Sequence, residues 1–230
     1  MNSGAYRVPV GLRLRREILR RVARLLYRLL GRVRLSGLEH VPRGTAYIAA
    51  LNHTSIFDAP LMLAFWPESI PAIGAANVFD KPVQGQIVSL YGTTPVHRGE
   101  YDRALIDNML GTLRAGYPLL IAPEGGRSHA PAMRRARPGI AYVVDETRLP
   151  VVPVGIIGAS DDFLKRALRL ERPLIEMRIG QPFTLPPLEG RGPARRESRQ
   201  RNADLVMQHI AALLPPEYRG VYADPALLRA

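Results

Sequence analysis

A chain of 230 residues and 25.5 kDa, 47% hydrophobic and 23% charged, is long enough to bury one core and too apolar for a disordered segment. With no cysteine it has no disulfide framework, no thiolate zinc site and no thiol nucleophile. Its net charge of +12 suits a polyanionic partner (nucleic acid, an anionic membrane or a phosphorylated substrate), and ten arginines against the single acid Glu17 concentrate that charge in residues 1–34.

Leu12 to Leu30 contains neither Pro nor Gly and reads as one helix, about 30 Å long at ~1.5 Å per residue. Leu12, Leu19, Val22, Leu26 and Leu29 recur at helical spacing, with Ile18, Leu25 and Leu30 beside them. Arg13, Glu17, Arg20, Arg24 and Arg28 line the other side. Arginines cost about 2.5–3.5 kcal/mol each near a bilayer centre, which excludes a span. The unbroken apolar run of a signal peptide is also missing. Residues 1–34 therefore read as a basic amphipathic helix lying in an anionic membrane interface, with 35–230 as the main domain. The alternative is a helix that packs its apolar face on the body and solvates its arginines. Nucleic acid is not expected as a partner, because aromatic interleaving and groove-reading motifs are absent. No later segment is long and apolar enough to span, Pro82–Val96 included.

From Val33 onward apolar runs alternate with helical patterns. Strands are expected at Ala46–Leu51, Ile70–Ala75, Thr93–Val96, Leu119–Ala122, Val151–Ile157 and Leu174–Ile179. Helices are expected at Ser55–Trp66, Val83–Leu90, Tyr101–Ala115, Ile140–Thr147 and Arg195–Leu214. Interleaved elements with continuous apolar strands predict an α/β fold: a mixed, mostly parallel sheet covered by helices on both faces, preceded by the basic helix. Function in such sheets gathers where strands end and helices begin.

The first such junction is "NHTSIFDAP". His53 stands at a strand end and Asp58 inside the following helix. A carboxylate there can accept the proton of one ring nitrogen and leave the other to take a proton from a hydroxyl. Ser55-x-x-Asp58 is also a capping box, and local grammar alone leaves both readings open. The second junction ends in His97-Arg98-Gly99, with Arg98 at a strand end and suited to a phosphate; a solvated turn arginine is the alternative. The third is Glu124-Gly125-Gly126-Arg127-Ser128 after an apolar run. Glycines let backbone N–H groups approach a phosphate, and a guanidinium can grip one bidentately. The alternative is a glycine-rich turn with an exposed ion pair. The histidines show no metal-ligand spacing.

Taken together, the order of pieces resembles the glycerolipid acyltransferase family, of the 1-acyl-glycerol-3-phosphate acyltransferase type. It is carried by the H-x4-D block (His53 to Asp58), Arg98-Gly99, the P-E-G-x-R-S block (Pro123 to Ser128) and the apolar block Leu149–Gly158. The resemblance covers about residues 35–185, and the tail Leu213–Asp224 is similar to the ends of bacterial members. It implies that His53 is the general base and Asp58 its orienting partner. It implies that Arg98, Gly99, Glu124, Gly125, Gly126, Arg127 and Ser128 bind the acceptor, and that Pro153 belongs to a buried strand near the acyl chain or the site floor. It implies no metal and no prosthetic cofactor, with acyl-CoA or acyl-carrier protein as cosubstrate and a lysophospholipid as acceptor. It also implies a peripheral, monotopic enzyme on the cytoplasmic side of the membrane. Two departures stand out: Gly126 replaces a family Thr, and Ala75–Phe79, with Lys81 displaced, replaces a stretch that often carries Lys and Glu. Competing classes are an acyltransferase for another lipid acceptor and a non-catalytic lipid-binding protein on the same fold. A serine hydrolase is disfavoured by the absence of G-x-S-x-G.

Overall fold

Strands with side chains buried on both faces need helices above and below them, and the chain supplies both. The computed structural model describes residues 7–97, 103–128, 130 and 132–224. In chain order the elements are α1 (Val10–Leu30), β1 (Arg32–Ser36), β2 (Ile48–Leu51), α2 (Asp58–Phe65), β3 (Ile73–Ala75), α3 (Pro82–Tyr91), β4 (Thr94–Val96), α4 (Arg103–Arg114), β5 (Leu119–Ile121), α5 (Gly139–Thr147), β6 (Val151–Ile157), α6 (Phe163–Leu168), β7 (Leu174–Ile179) and α7 (Gly192–Ala211).

The main sheet has the order β1-β7-β6-β2-β5. Every pairing is parallel except β6 with β7. β3 and β4 form a small parallel pair that joins the sheet through an Ala72–Leu120 bridge to β5. On one face, Ala49, Leu51, Val154 and Met177 pack with Tyr27 of α1, Leu61 and Phe65 of α2 and Phe163 of α6. On the other, Ile48, Ala50, Ile121 and Val151 pack with Leu113 of α4, Val144 of α5 and Val206 and Ile210 of α7. The fold is thus α/β, mixed and mostly parallel, as expected.

Three elements depart from expectation. β1 reads "RVRLS", basic at alternate positions, which makes residues 32–34 look like the end of the basic helix. They belong instead to the edge strand: Val33 and Leu35 pack on the core while Arg32 and Arg34 face outward. α6 has no counterpart among the expected helices; it buries Phe163 and Ala167 in the core.

α1 is the other surprise. Its arginine side does not simply face solvent. Arg16 and Arg20 are buried in the body. Arg16 donates to the carbonyls of Tyr91 (2.8 Å) and Gly92 (3.1 Å), at the C-terminus of α3. Arg20 donates to Leu63 (2.9 Å) and Trp66, and Arg24 donates to Ala64 (2.7 Å), all at the C-terminus of α2. Last-turn carbonyls lack intrahelical donors and carry partial negative charge, so guanidinium groups are favourable caps there. Much of the apolar side is left outside: Leu14 is 62% exposed and Leu29 63%, with Ile18, Val22, Leu25 and Leu26 exposed between them, while Leu19 and Leu30 pack partly on the core. The helix therefore docks through Arg16, Arg20 and Tyr27 with Leu19 and Leu30 beside them, and leaves the rest of its leucines exposed. Among the described residues no helix is long and apolar enough to cross a membrane.

Candidate active site

β2 is central and short, and its last residue, Leu51, hands over to Asn52. Asn52 extends the ladder with its side chain, donating to the carbonyl of Ile156 (2.9 Å) and accepting from its N–H (2.7 Å). The bend that follows is thereby tied to β6.

His53 is held from both sides of its backbone. Its N–H donates to Glu124 Oε1 at 2.9 Å, and its carbonyl accepts the Ser128 N–H at 2.8 Å. The second oxygen of Glu124 accepts the Arg134 N–H at 2.8 Å. The ring Nδ1 donates to Asp58 Oδ2 at 3.1 Å, and the same oxygen accepts the N–H groups of Thr54 (2.6 Å) and Ser55 (2.7 Å). The two readings of Ser55-x-x-Asp58 are not exclusive: one carboxylate oxygen fastens the bend and orients the imidazole. With Nδ1 committed, Nε2 is the nitrogen left for a substrate, and the His53 side chain stays 19% exposed.

The imidazole borders a cavity of about 130 Å³. Leu51, Ala59 and Leu120 give it an apolar wall, Ile73–Ala75 and Val96 come from the small strand pair, and Gly125 and Gly126 form its glycine side. Gly125 has φ +68°, a conformation that favours glycine. A Cβ there would lie 2.5 Å from Arg137 Cδ.

Burial pushes the Asp58 carboxyl above its ordinary range, against the pull of the His53 ring and the Ser55 and Thr54 amides. Glu124 is raised for the same reason, against the amides of Arg134 and His53. Asp161, in the loop after β6, behaves oppositely. Burial works upward on it, but the Ile56 amide, the Ser55 hydroxyl and Arg127 together outweigh that and hold it below the usual carboxylate range. Its contacts are Ser55 Oγ (3.0 Å), Ile56 N (3.1 Å) and Arg127 Nη1 (3.0 Å).

The structure thus gathers His53, Asp58, Gly125, Gly126, Arg127 and Ser128 at one sheet edge. Glu124, expected among the acceptor-binding residues, is buried with both oxygens taken by backbone amides, which makes it a brace for His53. Pro153 is not brought to the cavity. It pairs in register with Ala50, the neighbour of cavity-lining Leu51, and so lies on the opposite face of the sheet, beside Gly180. Arg98 and Gly99 lie outside the described residues. Asn52 and Asp161 were not singled out from sequence; each is a polar residue following an apolar strand, a signal that could have found them. Among the described residues no group of three or more His, Asp or Glu is placed to hold a metal.

An imidazole with one nitrogen fixed by a buried carboxylate and the other open to a cavity can take a proton from a hydroxyl and return it to a leaving group. Known proteins resemble the chain in sequence and in fold. The chain is 27% identical over 165 residues to a 1-acyl-sn-glycerol-3-phosphate acyltransferase of Cocos nucifera, covering 70% of this chain and 53% of that protein. It is 27% identical over 130 residues to a chloroplastic 1-acyl-sn-glycerol-3-phosphate acyltransferase of Brassica napus, covering 55% of this chain and 37% of that protein. The chain therefore spans about half or less of the curated relatives it matches. Its fold is similar to the crystal structure of the 1-acyl-sn-glycerophosphate acyltransferase PlsC from Thermotoga maritima, with a TM-score of 0.59, 18% identity and coverage of 83% of this chain and 78% of that one. The profile of the family described as Acyltransferase matches residues 32–157, more than half of the chain and the whole run from β1 through the His53–Asp58 pair and the Gly125–Gly126 turn to β6. The chain belongs to the acyltransferase family.

Proposed function

We propose that the protein is an O-acyltransferase that moves a fatty acyl group from acyl-CoA or acyl-carrier protein to the free hydroxyl of a lysophospholipid, with 1-acyl-glycerol-3-phosphate as the first acceptor to test. The observation that carries this reading is the His53–Asp58 pair, with Nε2 free beside a cavity bordered by Gly125 and Gly126. The printed names of the plant relatives point to the same acceptor class.

In the proposed reaction His53 Nε2 takes the acceptor's hydroxyl proton as its oxygen forms a bond to the thioester carbonyl carbon. Asp58 stabilises the resulting imidazolium without taking the proton itself. This addition gives a tetrahedral oxyanion beside the glycine turn. Collapse re-forms the carbonyl and breaks the C–S bond, and the leaving thiolate takes the proton back from His53. A cavity of about 130 Å³ suits the small polar end of the acceptor, with the acyl chains outside it.

We further propose that α1 seats the enzyme peripherally on an anionic membrane, on its cytoplasmic side. The exposed stripe from Leu14 to Leu29, flanked by exposed Arg15, Arg21 and Arg28, supports this placement. The test of the chemistry is direct. Purified protein, labelled acyl donor and a panel of lysolipids should give acyl transfer to 1-acyl-glycerol-3-phosphate, and His53→Ala should abolish it. Wild-type turnover in His53→Ala would overturn the base assignment.

A further inference from the structure

Arg127 is the guanidinium expected to read the acceptor's phosphate, yet it already carries an anion. Its Nη1 donates to both oxygens of Asp161, at 3.0 and 3.3 Å. The two residues come from different loops at the same sheet edge, Arg127 from the turn after β5 and Asp161 from the loop after β6. A third loop, the bend after β2, holds the carboxylate from the other side through Ser55 Oγ and the Ile56 N–H, both on Oδ1. Oδ1 is therefore moored close to His53 and Asp58, and Oδ2 faces Arg127.

We propose that Asp161 is a specificity-determining residue of the acceptor site, an internal anion that holds the phosphate position on Arg127 until an acceptor's phosphate takes its place. This rests on the acyl-transfer reading for the identity of the acceptor, but the anion exchange itself does not. The pair is open to solvent, with Asp161 54% and Arg127 25% exposed, so a ligand can reach it. Exposed pairs of this kind are weakly held. A phosphate monoester carries about −1.5 to −2 charge near neutrality and offers three strong acceptor oxygens, against a single negative charge on the carboxylate. The exchange is thus favourable and needs only a swing of the Arg127 side chain, because the Ser55 and Ile56 bonds keep Asp161 in place. The consequence is a lowered affinity for every phosphorylated acceptor: the carboxylate competes while the acceptor is absent and repels while it is bound. An uncharged lysolipid does not engage Arg127 and is spared both effects.

Asp161→Asn retains an oxygen for Ser55 and Ile56 while removing the charge, and it separates these effects. Two readouts are needed on the full chain: chemical-shift titration with glycerol 3-phosphate, and KM for 1-acyl-glycerol-3-phosphate against KM for a monoacylglycerol. The expected result is a glycerol 3-phosphate affinity raised about two- to five-fold, from the size of exposed pairs, and a matching drop in KM for the phosphorylated acceptor. No such drop is expected for the monoacylglycerol, and none in an Arg127→Ala background. Weaker glycerol 3-phosphate binding in Asp161→Asn, equal changes for both acceptors, or the same change without Arg127 would overturn the inference. A wild-type protein that binds glycerol 3-phosphate but transfers no acyl group would overturn the proposed reaction, while the titration would still decide the role of Asp161.

Discussion

One oxygen atom, Asp58 Oδ2, receives three donors, and its loss is felt in two ways. Asp58→Asn puts the imidazole in the wrong tautomer, which in the analogous serine-protease triad costs about 10⁴-fold in kcat. It also loosens the bend, because the Thr54 and Ser55 amides exchange a charged carboxylate acceptor for a neutral amide oxygen. Steady-state kinetics should show the rate loss, and urea unfolding a stability loss of about 1 kcal/mol from the cap. A variant with normal kcat would mean that the ring needs no orienting group. Glu124→Ala removes both acceptors from the buried amides of His53 and Arg134, each worth about 1–3 kcal/mol when left unsatisfied. Urea midpoints should fall accordingly, and a neutral result would show that the brace is dispensable. Asp161 provides a pH test with a definite sign. Its folded pKa lies below the ordinary value, so its stabilising contribution is present above the unfolded pKa and is lost as pH falls through the folded one. The stability gap between wild type and Asp161→Asn should therefore shrink between pH 7 and about pH 3, where an ordinary aspartate is protonated. A gap that widens on acidification would contradict the assignment. Asp58 and Glu124, whose pKa values are raised, contribute in the opposite sense and lose stability as pH rises through those values.

At the scale of the element, α1 divides into a docked side and a free side that respond to different substitutions. Arg20→Ala strips the C-terminal carbonyls of α2 of a buried charged donor and should cost about 2–3 kcal/mol in unfolding free energy. Replacing Leu14, Ile18, Val22, Leu25 and Leu29 by Ser touches only exposed positions and should leave unfolding within about 1 kcal/mol of wild type. The same protein should lose affinity for anionic vesicles in sedimentation, and Arg15→Gln with Arg21→Gln should flatten the salt dependence of binding. Unchanged sedimentation of the serine variant would end the case for α1 as the seat. Removing residues 1–34 is the wrong experiment. It would take away the caps of α2 and α3 and part of β1, which pairs with β7 along its length.

For the molecule as a whole, both faces of one sheet are buried by elements from the two ends of the chain, α1 and α7, so unfolding is expected in one step. Trp66, the sole tryptophan, is fully buried next to the Arg20 cap and donates to Tyr47, which makes it a probe of that union. Its fluorescence and far-UV circular dichroism should give coincident urea transitions. An earlier fluorescence transition would show that α1 and α2 melt separately. The same architecture explains what could be read in advance. β2, β5 and β6 are apolar at every position because they are covered twice, and the polar residues His53 and Glu124 then mark where they end. β1 escaped because it lies on the edge, where Arg32 and Arg34 make a strand look like the tail of the basic helix. The cradle around the imidazole was legible only in part. His53 and Asp58 are close in sequence, whereas Glu124 and Asp161 reach the same bend from distant loops, a proximity that only the sheet creates. The burial of Arg16 and Arg20 was illegible for a related reason: their partners are backbone carbonyls, which no residue pattern announces.

The choice of arginine for those caps has a practical meaning. A guanidinium keeps its proton at any pH at which a protein is handled, whereas lysine or histidine in the same place would not. The docking of α1 on α2 and α3 therefore rests on donors that acid does not remove, with Glu17, bonded to Arg20 at 2.7 Å, as the titrating acid beside them. When activity is titrated, those caps stay in place, and any pH-dependent loss of stability arises instead around His53, where Asp58, Glu124 and Asp161 titrate.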